Sequence, residues 1–94
     1  MNTVCVIGRI VGEPELRKNR ANEDECRMTL AVARRQRNGQ PDAGVVYLDV
    51  TTFGVEAREV AQLHEGTMIG LAGRLNSDPP HSGLGVLIDQ LSVL

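Results

Sequence analysis

The sequence predicts a small all-β barrel of five strands and one short helix, within one domain spanning residues 1–94. Three observations support this fold class. Five stretches alternate apolar residues with polar or small ones, as half-buried strands do. One stretch after the third strand has helical spacing instead. The segments between these stretches are polar or contain Pro, Gly, Asn and Asp, which interrupt regular structure.

The five strands are predicted at 3–10, 27–35, 45–53, 67–75 and 84–94. The segment from Glu13 to Glu25 is too charged to enter a core. NGQPDAG at 38–44 predicts a hairpin loop. NSDPPHSG at 76–83 predicts another loop, because proline cannot join a central ladder.

The helix is predicted over 56–66, where Ala57, Val60 and Ala61 follow helical spacing and Gly66 is a suitable end. The complete order is therefore β-β-β-α-β-β. Within 94 residues this is the element order of the OB-fold, a five-stranded barrel with a ligand-binding face.

Alternation separates two faces in each strand of such a barrel. The faces expected in the core carry branched aliphatic or Met side chains: Met28, Leu30 and Val32; Val46, Leu48 and Val50; Ile69, Leu71 and Leu75. The opposite faces carry small, polar, arginine or aromatic residues, which is typical of an outer surface and not of a second core.

Tyr47 and Phe53 are the only aromatic residues, and both fall on the predicted outer face of the third strand. At ~3.3 Å per residue they lie about 20 Å apart. Aromatic rings on a solvent-facing sheet are unfavourable unless they bind something, and nucleic-acid bases stack on them without regard to sequence. The alternative is that the helix, a loop or a partner subunit covers one ring. Asp49, between them, is interpreted as solvent-facing or as a hydrogen-bond partner of a base or an arginine.

Arginine residues predict phosphate contacts around this face. Arg34, Arg35 and Arg37 cluster where the second strand enters its loop, and Arg9 and Arg74 lie at the ends of the first and fourth strands. The guanidinium group suits this role because it pairs bidentately with phosphate and stacks on bases.

A second basic cluster has a different interpretation. Arg17, Lys18 and Arg20 are followed closely by the acidic residues at 23–25, so this segment is predicted to be a solvated loop whose charges compensate one another. The net charge of −2 also means that the whole molecule does not attract polyanions.

Neither an enzyme nor a bound cofactor is predicted. His64 and His81 have no Cys or acidic partner at ligand spacing, and no Walker, nucleophile-elbow or dinucleotide motif occurs. Cys5 and Cys26 are predicted to be small buried side chains in a reducing compartment. A signal peptide and a membrane span are both absent from the pattern, so a cytoplasmic protein is expected.

A series of short motifs runs along nearly the whole chain. N-x-V-x-x-I-G-R spans 2–9, P-E-x-R spans 14–17, and Leu-Ala follows at 30–31. Tyr47 is followed six residues later by Phe-Gly, and Gly-Arg-Leu stands at 73–75. In this order and spacing the motifs resemble those of the bacterial single-stranded DNA-binding protein family.

The resemblance implies a homo-oligomer, commonly a tetramer, that wraps single-stranded DNA in replication, recombination or repair without sequence preference. By position, Tyr47 and Phe53 match the family's base-stacking aromatics, with Tyr47 in place of the usual Trp. The phosphate contacts are assigned to Arg9, Arg34, Arg35, Arg37 and Arg74. Replication and repair proteins, which the family recruits through an acidic tail, are further implied partners.

Departures from the family pattern keep a second hypothesis open. Gln36 stands near the place of a usual Trp, the 76–83 loop carries no aromatic, and the sequence ends at Leu94 without a tail. Either a tail has been removed or the protein is not a recruiting hub. The alternative function is an OB-fold adaptor or structural subunit with weak or no DNA binding. It would resemble dimeric primosomal replication protein B or pair with a full-length paralogue.

Overall fold

The structure is a computed structural model that describes residues 1–34, 44–78 and 81–94. Its regular elements follow the predicted order: β1 (Val4–Lys18), β2 (Asp24–Ala33), β3 (Val45–Phe53), α1 (Gly54–Val60), β4 (Met68–Asp78) and β5 (His81–Val93). The bounds of β3 agree with the prediction, whereas the other elements differ from it at one or both ends.

The strands close into a barrel in the order β1-β2-β3-β5-β4. β1 closes the ring because its first part pairs with β4 and its second part pairs with β2. The β1–β2 register shifts between Val11 and Glu15, where Gly12 adopts a φ of +73°, a left-handed conformation that glycine reaches at little cost. β3 and β5 pair in parallel, and the other neighbours are antiparallel. This topology confirms the predicted OB-fold.

The first connection is much shorter than predicted. β1 and β2 continue through most of the charged segment and leave only residues 19–23 as the turn. The side-chain oxygen of Asn19 accepts hydrogen bonds from the backbone N–H groups of Ala21 and Glu23, both at 2.9 Å. The prediction was wrong because a charged segment need not be a loop: at the exposed end of a ribbon, opposite charges pair across the two strands.

The helix is also shorter than the predicted 56–66. Ala61 N–H still bonds to Ala57 O, as in an α-helix. The next bonds run from Gln62 to Glu59 and from Leu63 to Val60, a span of three residues that tightens the chain into a turn. His64 and Gly66 therefore lie beyond the helix.

The barrel core is aliphatic, and its buried apolar residues are Ile10, Cys26, Met28, Leu30, Val50, Ala57, Val60, Ile69, Leu71, Val86 and Ile88. The predicted inner faces are confirmed except at Val46 and Leu75, which are 50% and 44% exposed. Val46 lies next to the start of β3. Leu75 lies past Gly73, where β1 stops pairing with β4, so the adjoining strand that would cover it has ended.

The two cysteines have different environments. Cys26 is buried in the core as predicted, and burial raises the pKa of its thiol. Cys5 is exposed, so the prediction that it is buried was wrong. It lies on the outward side of β1, between Val4 and Val6, which pack partly against the core.

The second predicted loop, 76–83, is largely strand. β4 continues to Asp78 and β5 begins at His81, and Pro79 and Pro80 lie outside the described residues. The predicted hairpin loop at 38–44 also lies outside them, except for Gly44. In the described ranges, no helix has the length and apolar character needed to cross a membrane.

Candidate nucleic-acid interface

Tyr47 lies on the outward face of β3 in a row that crosses three strands. It pairs with Ala31 on β2, and Ala31 pairs with Arg9 on β1. Tyr47 is 65% exposed, and Arg9 is exposed as well. Neighbouring strands lie about 4.8 Å apart, which puts the backbones of Arg9 and Tyr47 roughly 10 Å apart. The small side chain of Ala31 leaves the space above the sheet between them open.

Phe53 lies at the other end of the outward face of β3 and has a different environment. It is the last residue of β3, directly precedes α1 and pairs with Glu25 of β2. Its side chain is half-buried, whereas that of Tyr47 projects into solvent. The two aromatics are therefore not equivalent surfaces, and Tyr47 offers the larger open ring.

The predicted basic residues that the structure describes have different environments. Arg34 is exposed just after β2, and its backbone N–H donates to Gly44 O at 3.1 Å. Arg35 and Arg37 lie outside the described residues. Arg74 is exposed on β4 but is held by Asp89 at 3.2 Å. Arg9 is thus the predicted arginine that the structure brings to the row of Tyr47.

A groove of about 390 Å³ lies beside this row, across the outward faces of β1, β2 and β3 and against the start of β5. Its charged and polar lining includes Glu13, Glu15, Arg17, Arg27, Thr29 and Asp49. The side chains of Thr29 and Asp49 face each other across β2 and β3, and Thr29 Oγ1 donates a hydrogen bond to Asp49 Oδ1 at 3.1 Å. Within the described residues, the Asp49 side chain is hydrogen-bonded to this threonine.

A buried carboxylate anchors the two arginines of the groove. Glu25 is 4% exposed, and its Oε2 accepts hydrogen bonds from Arg17 Nε at 2.9 Å and from Arg27 Nε at 3.0 Å. Burial raises the pKa of Glu25, but the two guanidiniums outweigh that effect and lower it below the ordinary value. Arg17 and Arg27 thus share their charge with a carboxylate, so the groove is not strongly positive.

The chain matches the model of the single-strand binding protein family over residues 1–87. It is 34% identical over 79 residues to the single-stranded DNA-binding protein of Thermosynechococcus vestitus, a match covering 83% of this chain and 62% of that protein. It is 32% identical over 77 residues to single-stranded DNA-binding protein 1 of Clostridium acetobutylicum, covering 80% and 70%. The chain belongs to the single-strand binding protein family.

A solved member of the same fold matches almost the entire chain. The N-terminal domain of PriB protein from Thermoanaerobacter tencongensis, whose structure is described as dimeric, superimposes with a TM-score of 0.78 at 25% identity. The match covers 99% of this chain and 96% of that domain. Family relatives are longer: the chain spans 62% of the Thermosynechococcus protein and 63% of a Nostoc relative.

Sequence reasoning predicted the outward position of Tyr47 but did not predict the groove. Glu25, Arg17 and Arg27 were not among the predicted site residues, because the first two were assigned to a loop. The predicted compensation of charge is confirmed: Arg17 pairs with Glu25, and Lys18 pairs with Asp24 at 2.9 Å. Arg27 could have been predicted as a groove residue from its position on the outward side of β2. Within the described part of the chain, no group of His, Cys, Asp or Glu side chains is arranged to hold a metal ion.

Proposed function

We propose that this chain binds single-stranded DNA without strong sequence preference, with one base stacked on Tyr47 and the phosphates beside it held by Arg9. The observation that carries the proposal is the 65% exposure of Tyr47 in a row with Arg9. A ring held this way on a rigid strand loses little entropy when a base stacks on it. Family membership supports DNA as the ligand and replication, recombination or repair as the setting. The free cysteines support the cytoplasm as its compartment.

The other predicted residues complete this proposal at the ends of the face. Phe53 would contact a second base by its exposed edge. Arg34, Arg35 and Arg37 would hold phosphates near the β2–β3 connection. A phosphate reaching Arg74 must compete with Asp89, so its contribution is expected to be smaller. Because phosphate contacts release counterions, binding should weaken steeply as salt increases.

The Tyr47→Ala substitution should weaken binding of a dT oligomer by about fivefold to 150-fold, because base–aromatic stacking contributes about 1–3 kcal/mol. Tyr47→Phe is the matched control: it keeps the ring, removes the hydroxyl and should bind as the wild type does. Fluorescence anisotropy of labelled dT oligomers, at low and then moderate salt, measures both. Wild-type protein that fails to bind dT at low salt would overturn the proposed function. Equal affinities of the wild type and Tyr47→Ala for dT would show that Tyr47 does not contribute to DNA binding.

We also infer that the chain forms a homo-oligomer through an apolar surface made by the outward faces of β1 and β4 and by the residue that follows β5. Ile7 is 58% exposed and Leu94 is 67% exposed. A Cβ built at Gly70 would lie 3.8 Å from side-chain atoms of both residues, so Gly70 joins them into one apolar surface. A second copy is the proposed occupant, and the dimeric state of the PriB domain supports it. A dimer is the smallest assembly this surface requires, and a tetramer would need a further contact.

Ile7→Asp should shift this assembly towards monomer and weaken association by about tenfold or more, because it places a charge in an apolar contact. Val55→Asp is the control, since Val55 is 61% exposed on α1, outside this surface. Sedimentation velocity over a concentration series measures both variants. A wild type that stays monomeric at high concentration, or an Ile7→Asp variant with unchanged association, would contradict the proposed surface.

A second candidate is the adaptor function, in which the barrel contacts a protein and binds DNA weakly. The observation that favours it is the groove lining, where three carboxylates oppose two arginines already bound to Glu25. The full-length likeness to a PriB domain is consistent with it. The Tyr47→Ala experiment separates the two candidates, because an adaptor would show weak DNA binding that the substitution barely changes.

A further inference from the structure

We propose that Asp49, positioned by Thr29, makes the groove favour bases that carry an exocyclic amino group, so that this chain binds cytosine-containing single strands more tightly than uracil-containing ones. This inference rests on the proposed function and adds a base preference to it. The Asp49 carboxylate would accept a hydrogen bond from the cytosine N4 amino group, a pairing that geometry favours for Asp and Glu.

Asp49 is placed where a base next to Tyr47 would present its edge. It lies two residues after Tyr47, and two residues along a strand bring the side chain back to the same face, about 7 Å away. The Asp49 side chain is exposed in the groove. The bond from Thr29 Oγ1 to Oδ1 fixes the orientation of the carboxylate, and a carboxylate has a second oxygen that accepts further donors.

The negative charge of the groove favours hydrogen-bond donors on a bound base over hydrogen-bond acceptors. Glu13, Glu15 and Asp49 contribute three carboxylates to the lining, and Arg17 and Arg27 are bound to the buried Glu25. Phosphates are repelled from such a lining, so the backbone of a bound strand should run on the side of Arg9 with its bases towards the groove. An amino group is attracted there. The O4 carbonyl of uracil or thymine would face a carboxylate instead, and two acceptors repel each other.

The shape of the groove also suits a flat base. Gly85 of β5 approaches β3 so closely that a Cβ added to it would lie 3.2 Å from the backbone oxygen of Asp49. Because Gly85 has no side chain, the surface of the groove next to Asp49 is flat. Leu84, which is 66% exposed, stands at the rim and offers an apolar surface to one side of a base.

The test compares dC with dU oligomers of equal length at neutral pH, where both bases are uncharged. The two bases differ at position 4, which carries an amino group in cytosine and a carbonyl in uracil, and at N3, which is an acceptor in cytosine and an N–H donor in uracil. Unlike dT, dU has no methyl group that could add an apolar contact. Fluorescence anisotropy should give binding of dC that is tighter by about tenfold or more, the effect of one hydrogen bond to a charged acceptor. Asp49→Asn should abolish the preference, because the amide both accepts and donates. Glu59→Gln, which removes one exposed charge on α1 away from this groove, should keep it.

The outcomes separate this inference from the proposed function. Equal binding of dC and dU, or tighter binding of dU, overturns the base preference and leaves single-stranded DNA binding in place. A preference that persists in Asp49→Asn overturns the assignment to Asp49. Failure of every oligomer, including dT, to bind at low salt overturns both. Preference in the wild type and in Glu59→Gln, with loss in Asp49→Asn, supports the inference.

Discussion

The Gly73→Ala substitution should lower the free energy of unfolding by about 3 kcal/mol or more, at the upper end of what overpacking costs. Gly73 is buried on β4. A Cβ added there would lie 2.2 Å from the backbone oxygen of Leu87 and 2.9 Å from Val86 Cγ1. The first contact is with backbone, so it is relieved only if β4 and β5 separate. For a domain of this size the melting temperature should fall by more than about 10 °C.

Gly70→Ala on the same strand is the matched control. Its added Cβ would meet side-chain atoms of Ile7 and Leu94 at 3.8 Å, an ordinary contact distance. Alanine is also less flexible than glycine in the unfolded chain, so this change should be neutral or slightly stabilising. Thermal unfolding followed by circular dichroism, at low protein concentration to limit association, compares the two variants. Similar melting temperatures for them would show that the close approach of β4 and β5 at Gly73 is not a constraint.

The sequence predicts the fold well because the barrel depends on local alternation. The faces of β2, β3 and β4 follow directly from residues such as Leu30, Val50 and Ile69, which alternate with outward residues. What it does not predict is where strands end. β1 runs to Lys18 because Arg17 and Lys18 find partners on β2. The sequence predicted that these charges compensate one another, but not that they pair across two strands. Helix α1 likewise ends early, where its bonding pattern tightens.

The candidate site, like the fold, has features that the sequence predicts and features that it does not. The alternation of inward and outward residues along β3 is enough to place Tyr47 on the outer face, and the structure agrees. Its neighbour Arg9, by contrast, is close only because Ala31 pairs with both residues, a consequence of register. The groove is less predictable still, because it combines β1, β2, β3 and β5. The Glu25 cluster was missed because a run of acidic residues gives no indication that one of the carboxylates is buried beneath its neighbours on the outward face.

Glu25→Gln should destabilise the protein by about 3 kcal/mol at neutral pH, the low end of the effect of breaking a buried ion pair. Glu25 is 4% exposed, and the side chain of Arg27 is 17% exposed. Little water can therefore reach the Arg27 guanidinium to solvate it once the carboxylate charge is lost. Arg17, whose side chain is 45% exposed, can turn towards solvent, and this keeps the effect at the low end. Glu23→Gln is the control, because it makes the same chemical change at an exposed residue of the adjacent turn.

The size of this effect should depend on pH in a defined direction. Burial raises the pKa of Glu25, but the hydrogen bonds from Arg17 and Arg27 lower it further, below the ordinary 4.5. Glu25 is therefore charged in the folded state at pH values where it is already protonated in the unfolded chain. Its contribution to stability is complete above pH 4.5 and is lost as the pH falls through the lower folded-state pKa.

Glutamine does not titrate, so the stability difference between wild type and Glu25→Gln should be constant above pH 4.5 and shrink below it. Asp24, whose pKa is lowered by Lys18 and Arg58, titrates in both proteins and cancels in the comparison. Urea unfolding at a series of pH values from 7 downwards measures the difference. A difference that stays the same at acid pH would mean that shape, and not the charge of Glu25, holds Arg17 and Arg27 in place. Convergence of the two curves would show that one buried carboxylate holds both arginines of the groove in place.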